Sequence, residues 1–210
     1  MVKSIVIAGV GGQGTLLASK ILATAAGARG LFVRTSETIG MAQRGGSVSS
    51  HLRIDAREAS PIIPGAHGDI LLGFELAEAV RMIPKLKTEA KCVVNTDRII
   101  PTNVALGRGV YLGDEYLALL KNRYPEAVFI EGAPLALAAG ITVGSLTISS
   151  VGAAVGAAVG ASVGAAVGAS MLPFSEEEIR AAVKVCVKPK LLAMNERAFE
   201  LGLKASGVRW

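Results

Sequence analysis

Short apolar runs alternate with stretches of helical spacing through the first 130 residues. Ser4–Ala8 is an apolar run that ends in glycines, the pattern of a buried first strand. Thr15 to Ala26 has helical spacing, which predicts Leu16, Leu17, Ile21 and Leu22 toward a sheet and Gly27 or Gly30 as the stop. Leu31–Val33 reads as a second strand, followed by a polar, glycine-punctuated loop from Arg34 to Gly46. Ser47–Ile54 alternates, with Val48, Ser50, Leu52 and Ile54 on one face. Pro61, Pro64 and Gly65 then break regular structure. Asp69–Gly73, Lys91–Asn95 and Ala127–Ile130 read as further strands, and Glu75–Ile83 and Asp114–Tyr124 as helices. This alternation predicts an α/β fold: a doubly wound, mostly parallel, Rossmann-like sheet with C-terminal helices. The expected organisation is one unit over 1–210, with the sheet in 1–132 and a helical part in 133–210.

The helical part has its own composition. From Ala133 to Phe174 there is no charged residue, and Val151 to Ser170 reads VGAAVGAAVGASVGAAVGAS. Gly152, Gly156, Gly160, Gly164 and Gly168 recur every fourth residue, so a helix would gather them on one stripe that another backbone can approach closely. The segment is long enough to span a bilayer. It holds only Ala, Gly, Ser and Val, however, and lacks flanking aromatic or basic anchors. It therefore predicts a buried helix at a domain or subunit interface and argues against a membrane span. Ser175 and Glu178 have capping-box spacing, with Phe174 placed to staple onto Ile179, and Lys190–Leu203 reads as a last helix.

Net charge is +5, and +4 of it lies in residues 1–60, scattered among glycines without a basic run or interleaved aromatics. That pattern argues against nucleic acid and suits an anionic cofactor or an acidic partner protein. The chain has two cysteines, Cys92 and Cys186, with no CxxC and no Cys/His pair. They predict buried reduced thiols rather than metal or cluster ligands. Met1-Val-Lys3 leads straight into the first strand pattern, so no leader is expected and the cytoplasm is the predicted location.

Two segments carry candidate chemistry. Gly9, Gly11 and Gly14 form G-x-G-x-x-G between a strand and a helix, with Gly12 and Gln13 inside it. Such a turn brings backbone N–H groups of a helix N-terminus to an anion; alternatively, its glycines serve only tight strand–helix packing. Arg34, Thr35 and Ser36 stand where a dinucleotide fold would place an acid for ribose, and Glu37 comes late. Phosphate cradling is thus favoured over a nicotinamide cofactor. The second segment, Ser36 to Ser47, sets Glu37, Met41, Gln43 and Arg44 among Gly40, Gly45 and Gly46. Arg44 can grip a phosphate or carboxylate in bidentate fashion, or pair with Glu37 in a plain ordered connection.

GVGGQGTLLASKIL followed by SETIGMAQRGGSVSSHLRI resembles the gamma-type subunits of 2-oxoacid:ferredoxin oxidoreductases. The form GMAQRGGSV is most similar to the beta subunit of the indolepyruvate type. LPFSEEEIRAA and NERAFELG extend the resemblance over most of the chain. The repeat at 151–170 departs from it, since the family has an ordinary mixed apolar sequence there.

The resemblance implies a complex that oxidatively decarboxylates a 2-oxoacid with thiamine diphosphate, passes the acyl group to coenzyme A and reduces ferredoxin. In it a large partner subunit holds the thiamine diphosphate and the iron–sulfur clusters. This chain would hold no cofactor tightly and would be inactive alone. Gly9, Gly11, Gly12, Gln13, Gly14 and Met41 to Gly46 would line the shared active-site region or the coenzyme A side of it. Two other readings stay open: a stand-alone dinucleotide-binding module or reductase, and a structural or membrane-associated interaction protein built around the Gly/Ala helix. His51, His67, Tyr111, Tyr116 and Tyr124 show no pattern that needs a functional role, and no metal motif is present.

Overall fold

Ile5, Val6, Ile7 and Ala8 have no exposed surface because β1 (Lys3–Val10) is an inner strand covered on both faces. The computed structural model describes residues 3–38, 46–55, 60–139 and 159–207. After β1 come α1 (Thr15–Ala28), β2 (Val33–Thr38), β3 (Ser47–Ile54), β4 (Gly68–Gly73) and α2 (Leu76–Arg81). A 3-10 turn (Ile83–Lys85), β5 (Leu86–Asn95), α3 (Thr102–Ala105), α4 (Gly113–Arg123), β6 (Val128–Ile130) and α5 (Gly132–Ala138) follow. The described C-terminal helices are α6 (159–168), α7 (Glu176–Cys186) and α8 (Pro189–Ala205).

The strands form one sheet in the order β2–β3–β1–β4–β5–β6. β1, β4, β5 and β6 pair in parallel, while β3 runs antiparallel to both β1 and β2. Side chains alternate across the sheet with period two. Ile5, Ile7, Leu52, Ile54, Ile70 and Leu72 share one core with α1, α6 and α7. Val6, Ala8, Leu71, Cys92 and Val94 share the other with Leu76 and Ala79 of α2 and Leu120 and Tyr124 of α4. Helices on both faces make the sheet doubly wound, as expected.

The chain departs from the sequence expectations in identifiable ways. β2 spans Val33–Thr38, so the first half of the expected loop is strand. Among the described strands it is an edge strand, and its polar sequence VRTSET hides it from a hydrophobicity reading. In α1 the buried positions are Thr15, Ala18, Ser19, Ile21, Leu22, Ala25 and Ala26, which leaves Leu16 half exposed rather than toward the sheet. The helix stops at Ala28, and Gly30 takes the left-handed conformation (φ 71°) while Leu31 N–H returns to the Ala26 carbonyl. β5 begins five residues before the expected start, and the short helices α3 and α5 had no sequence signal.

The expected capping box is present: Glu178 N–H donates to Ser175 Oγ at 3.3 Å and Ser175 N–H to Glu178 Oε2 at 2.7 Å. α6 confirms a buried helix within the Gly/Ala repeat, while residues 151–158 lie outside the described residues. Its glycine stripe faces α8 of the same chain. A Cβ on Gly160 would stand 2.9 Å from the Asn195 carbonyl oxygen, and one on Gly164 would stand 3.1 Å from Leu203 N. Among the described residues, no helix is long and apolar enough to cross a membrane.

Candidate functional site

Helix α1 leaves the sheet on one face and α2 on the other, so the carboxyl ends of β1 and β4 form the crevice where α/β sheets take ligands. Gly9–Gly14 is the turn from β1 into α1 at that place. Gly12 adopts φ 104°, is exposed, and has no atom of the described residues within 4 Å of where a Cβ would stand. Gly14 (φ 83°) is the N-cap of α1, where no side chain caps the helix and the first turn holds no acid. The first N–H groups of α1 thus open onto the crevice with the positive end of the helix dipole behind them. Gly9 answers a different need: a Cβ there would come within 2.9 Å of Gln13 Oε1 and 3.1 Å of Phe74 Cβ.

Gln13 turns inward. Its Oε1 accepts from Val10 N–H at 2.7 Å and its Nε2 donates to the Phe74 carbonyl at 2.9 Å. Asn95 Nδ2 donates to the same carbonyl at 3.3 Å, while Asn95 Oδ1 accepts from Gly132 N–H at 2.9 Å and Asp97 N–H at 3.1 Å. One carbonyl therefore ties together the ends of β1, β4 and β5 and the start of α5. The side chain of Gln13 shapes the loop, and its ligand-facing part is backbone.

Gly46, at the start of β3, accepts a hydrogen bond from Gly11 N–H at 2.7 Å, so the two sequence-predicted segments do meet. Met41, Gln43, Arg44 and Gly45 lie outside the described residues. Glu37 is placed apart. It is exposed near the end of β2, and β3 stands between it and β1, which puts it roughly 10 Å away at two strand spacings. In a dinucleotide fold the acid reaches ribose from the strand beside β1; here the antiparallel β3 occupies that place.

The sequence reading missed a polar group beside the loop. Glu75 (1% exposed) caps α2, with its Oε2 accepting from Glu78 N–H at 3.0 Å. Its Oε1 accepts from the hydroxyl of Tyr111. Burial, then this bond to a carboxylate, pushes the Tyr111 phenol up from its ordinary pKa. Glu78 (6% exposed) accepts from Ser47 Oγ at 2.5 Å and faces Arg81 Nε at 3.4 Å. Spacing alone could suggest only the α2 cap, as Glu75 and Glu78 are three apart. The arrival of Tyr111 and Ser47 depends on the tertiary fold.

His51 Nδ1 accepts from Ile63 N–H at 3.0 Å, and burial followed by the nearby Lys85 charge holds its pKa below the ordinary value. Cys92 has no exposed surface, and desolvation pushes its thiol up to about 12. Cys186 is half-buried, with Thr24 Oγ1 at 3.3 Å from its sulfur. The two cysteines belong to opposite faces of the sheet and cannot share a metal or cluster. Among the described residues, no cluster of His, Cys, Asp and Glu could hold a metal ion.

The sequence model of the pyruvate ferredoxin/flavodoxin oxidoreductase family matches residues 4–205, from β1 to the end of α8. The chain belongs to that family. It is 35% identical over 201 residues to the indolepyruvate oxidoreductase subunit IorB of Archaeoglobus fulgidus, covering 95% of this chain and 92% of the relative. It is 34% identical to the IorB of Thermococcus kodakarensis, covering 97% and 95%. Among solved structures, it is similar to the gamma subunit of a keto/oxoacid ferredoxin oxidoreductase from Geobacter sulfurreducens, with TM-score 0.63, 22% identity and coverage of 97% and 98%. It also matches part of the longer 2-oxoglutarate:ferredoxin oxidoreductase of Magnetococcus marinus, with TM-score 0.64, 19% identity and coverage of 98% of this chain and 31% of that one. At these identities the structural likenesses establish the fold, and the family rests on the sequence matches.

Proposed function

We propose that this chain is the small, cluster-free subunit of a 2-oxoacid:ferredoxin oxidoreductase that acts on an aryl pyruvate such as indolepyruvate. Near full-length identity of 31–35% to four IorB subunits carries this reading. The chain acts as a single gamma-type unit in the cytoplasm. A larger partner subunit supplies thiamine diphosphate, the iron–sulfur clusters and the electron path to ferredoxin. The two cysteines on opposite sheet faces agree with that division of labour, since a cluster needs about four ligands converging on one point.

Coenzyme A is the group this chain helps to hold. The fit rests on the open backbone at Gly12, the left-handed Gly14 and the uncapped start of α1, which together form a cradle for a phosphate or pyrophosphate. Gln43 and Arg44 supply the side-chain chemistry suited to an anion. Coenzyme A supplies the thiol that accepts the acyl group. The residues of this chain bind and orient it.

The stand-alone dinucleotide reading loses support from β3, which separates Glu37 from the glycine loop. A substrate panel on the complex tests the proposal. Co-expressed with its cluster-bearing partner, the chain should support viologen reduction with indolepyruvate at a kcat/KM well above that for pyruvate or 2-oxoglutarate. Equal rates with all three would overturn the aryl preference, and no activity with any would overturn the assignment.

A further inference from the structure

We infer that Glu78 is a positioning residue: through Ser47 it latches Gly46 against Gly11 and so fixes the glycine loop in its ligand-binding shape. The part of this inference that concerns coenzyme A rests on the reading above; the latch itself does not.

The latch is short in both sequence and space. Ser47 opens β3 opposite Val10, the last residue of β1. Its hydroxyl donates to Glu78 Oε2 at 2.5 Å, a charge-assisted bond to a carboxylate almost wholly out of water. The preceding residue, Gly46, accepts the N–H of Gly11, whose neighbour Gly12 is the exposed point of the loop. One peptide unit thus separates the grip of Glu78 from the backbone that holds the loop.

Glu78 is itself fixed from two sides. Glu75 holds its N–H, and Tyr111 holds Glu75 from the segment after α3. Arg81 balances the Glu78 charge from the solvent side, with its own side chain 63% exposed. Among the described residues the hydroxyl donor to Glu78 is Ser47, and that donor begins the strand which closes the loop. Simple anchoring of the strand would stabilise β3 without affecting the Gly11 amide, and this difference is what an experiment can read.

The assembled complex is compared with its Ser47→Ala, Glu78→Gln, double and Ser47→Thr variants. Amide exchange is followed by mass spectrometry over residues 9–14, together with the KM for coenzyme A. Losing the latch should speed Gly11 exchange and raise the KM for coenzyme A, each by about five- to tenfold, the size of one hydrogen bond. kcat should stay within about twofold. The double variant should be no worse than Ser47→Ala, and Ser47→Thr should restore both readouts. Unchanged Gly11 exchange in folded Ser47→Ala and Glu78→Gln overturns the latch, whatever happens to coenzyme A. If exchange rises but the KM stays put, Gly11→Val separates the causes. A raised KM in Gly11→Val then overturns the role of the latch in binding. An unmoved KM there overturns the placement of coenzyme A and leaves the latch established by exchange.

Discussion

Gly164→Ala and Gly27→Ala make the same chemical change in two helices and should have opposite signs. At Gly27, on the exposed side of α1, no atom of the described residues lies within 4 Å of an added Cβ. Alanine there gains helix propensity and restricts the unfolded chain, stabilising by about 0.4–1 kcal/mol. At Gly164 the new carbon would stand 3.0 Å from the Phe199 carbonyl carbon and 3.1 Å from Leu203 N, and closer still to the Phe199 oxygen. These are backbone atoms, so no side chain can swing aside, and α8 would have to retreat by on the order of 1 Å to reach ordinary contact. Overpacking of this kind costs about 1–3 kcal/mol, occasionally more. Set against a propensity gain of about 1 kcal/mol, the net is a loss of up to about 2 kcal/mol. For a chain of this length that lowers Tm by up to roughly 8 °C, whereas Gly27→Ala should raise it by roughly 1–4 °C. Gly202→Ala, which meets the Cα and carbonyl carbon of Ala161 at 2.8 Å from the opposite helix, should behave like Gly164→Ala. Thermal unfolding by circular dichroism reads all three. Stabilisation by Gly164→Ala equal to that by Gly27→Ala would refute the close packing of α6 on α8.

Other consequences follow from the same geometry. Gln13→Ala strips the Val10 N–H and the Phe74 carbonyl of a partner and should cost about 1–3 kcal/mol, read as a lower urea midpoint; an unchanged midpoint would contradict the anchoring role of Gln13. With its thiol pushed up to about 12 and no exposed surface, Cys92 should resist Ellman's reagent at pH 8 while Cys186 reacts, giving one thiol in the native chain and two in denaturant. Two rapid native equivalents would contradict the burial of Cys92. His51 has a folded pKa below its unfolded one, so the unfolded chain binds the proton first. Its contribution is therefore full above about pH 6.5 and declines as pH falls through that value toward the folded pKa. The stability difference between wild type and His51→Gln should shrink from pH 8 to pH 5; a difference that stays constant would show that His51 does not titrate as described.

What the sequence revealed divides along physical lines. β1, β4 and the inner half of β5 were legible because strands buried on both faces must be apolar throughout, and Ile5–Ile7 and Ile70–Leu72 are. The glycine loop was legible because Gly12 and Gly14 need positive φ, which few other residues tolerate. β2 was hidden by the same logic inverted: an edge strand with one neighbour can be VRTSET and lose little. That strand also decides the fate of Glu37, a candidate from the second segment that sheet order sets two strands from β1. The Phe74 carbonyl, where Gln13 and Asn95 converge, has no side-chain signature at all. Glu75, Glu78, Ser47 and Tyr111 come from distant stretches of chain, and their meeting follows only from β4 lying beside β1 and from the path of the chain after β5. The glycine stripe was read correctly as a close-approach surface, and the structure supplies its partner, α8.

The most direct test of the account is activity with and without a partner. The chain is purified alone and also after co-expression with the neighbouring gene for a large, cluster-bearing subunit, and both are assayed for viologen reduction with indolepyruvate and coenzyme A. The account predicts a stable complex, coenzyme A-dependent reduction in that complex, and none with either chain by itself. A chain that does not co-purify, or a large subunit equally active without it, would contradict the assignment.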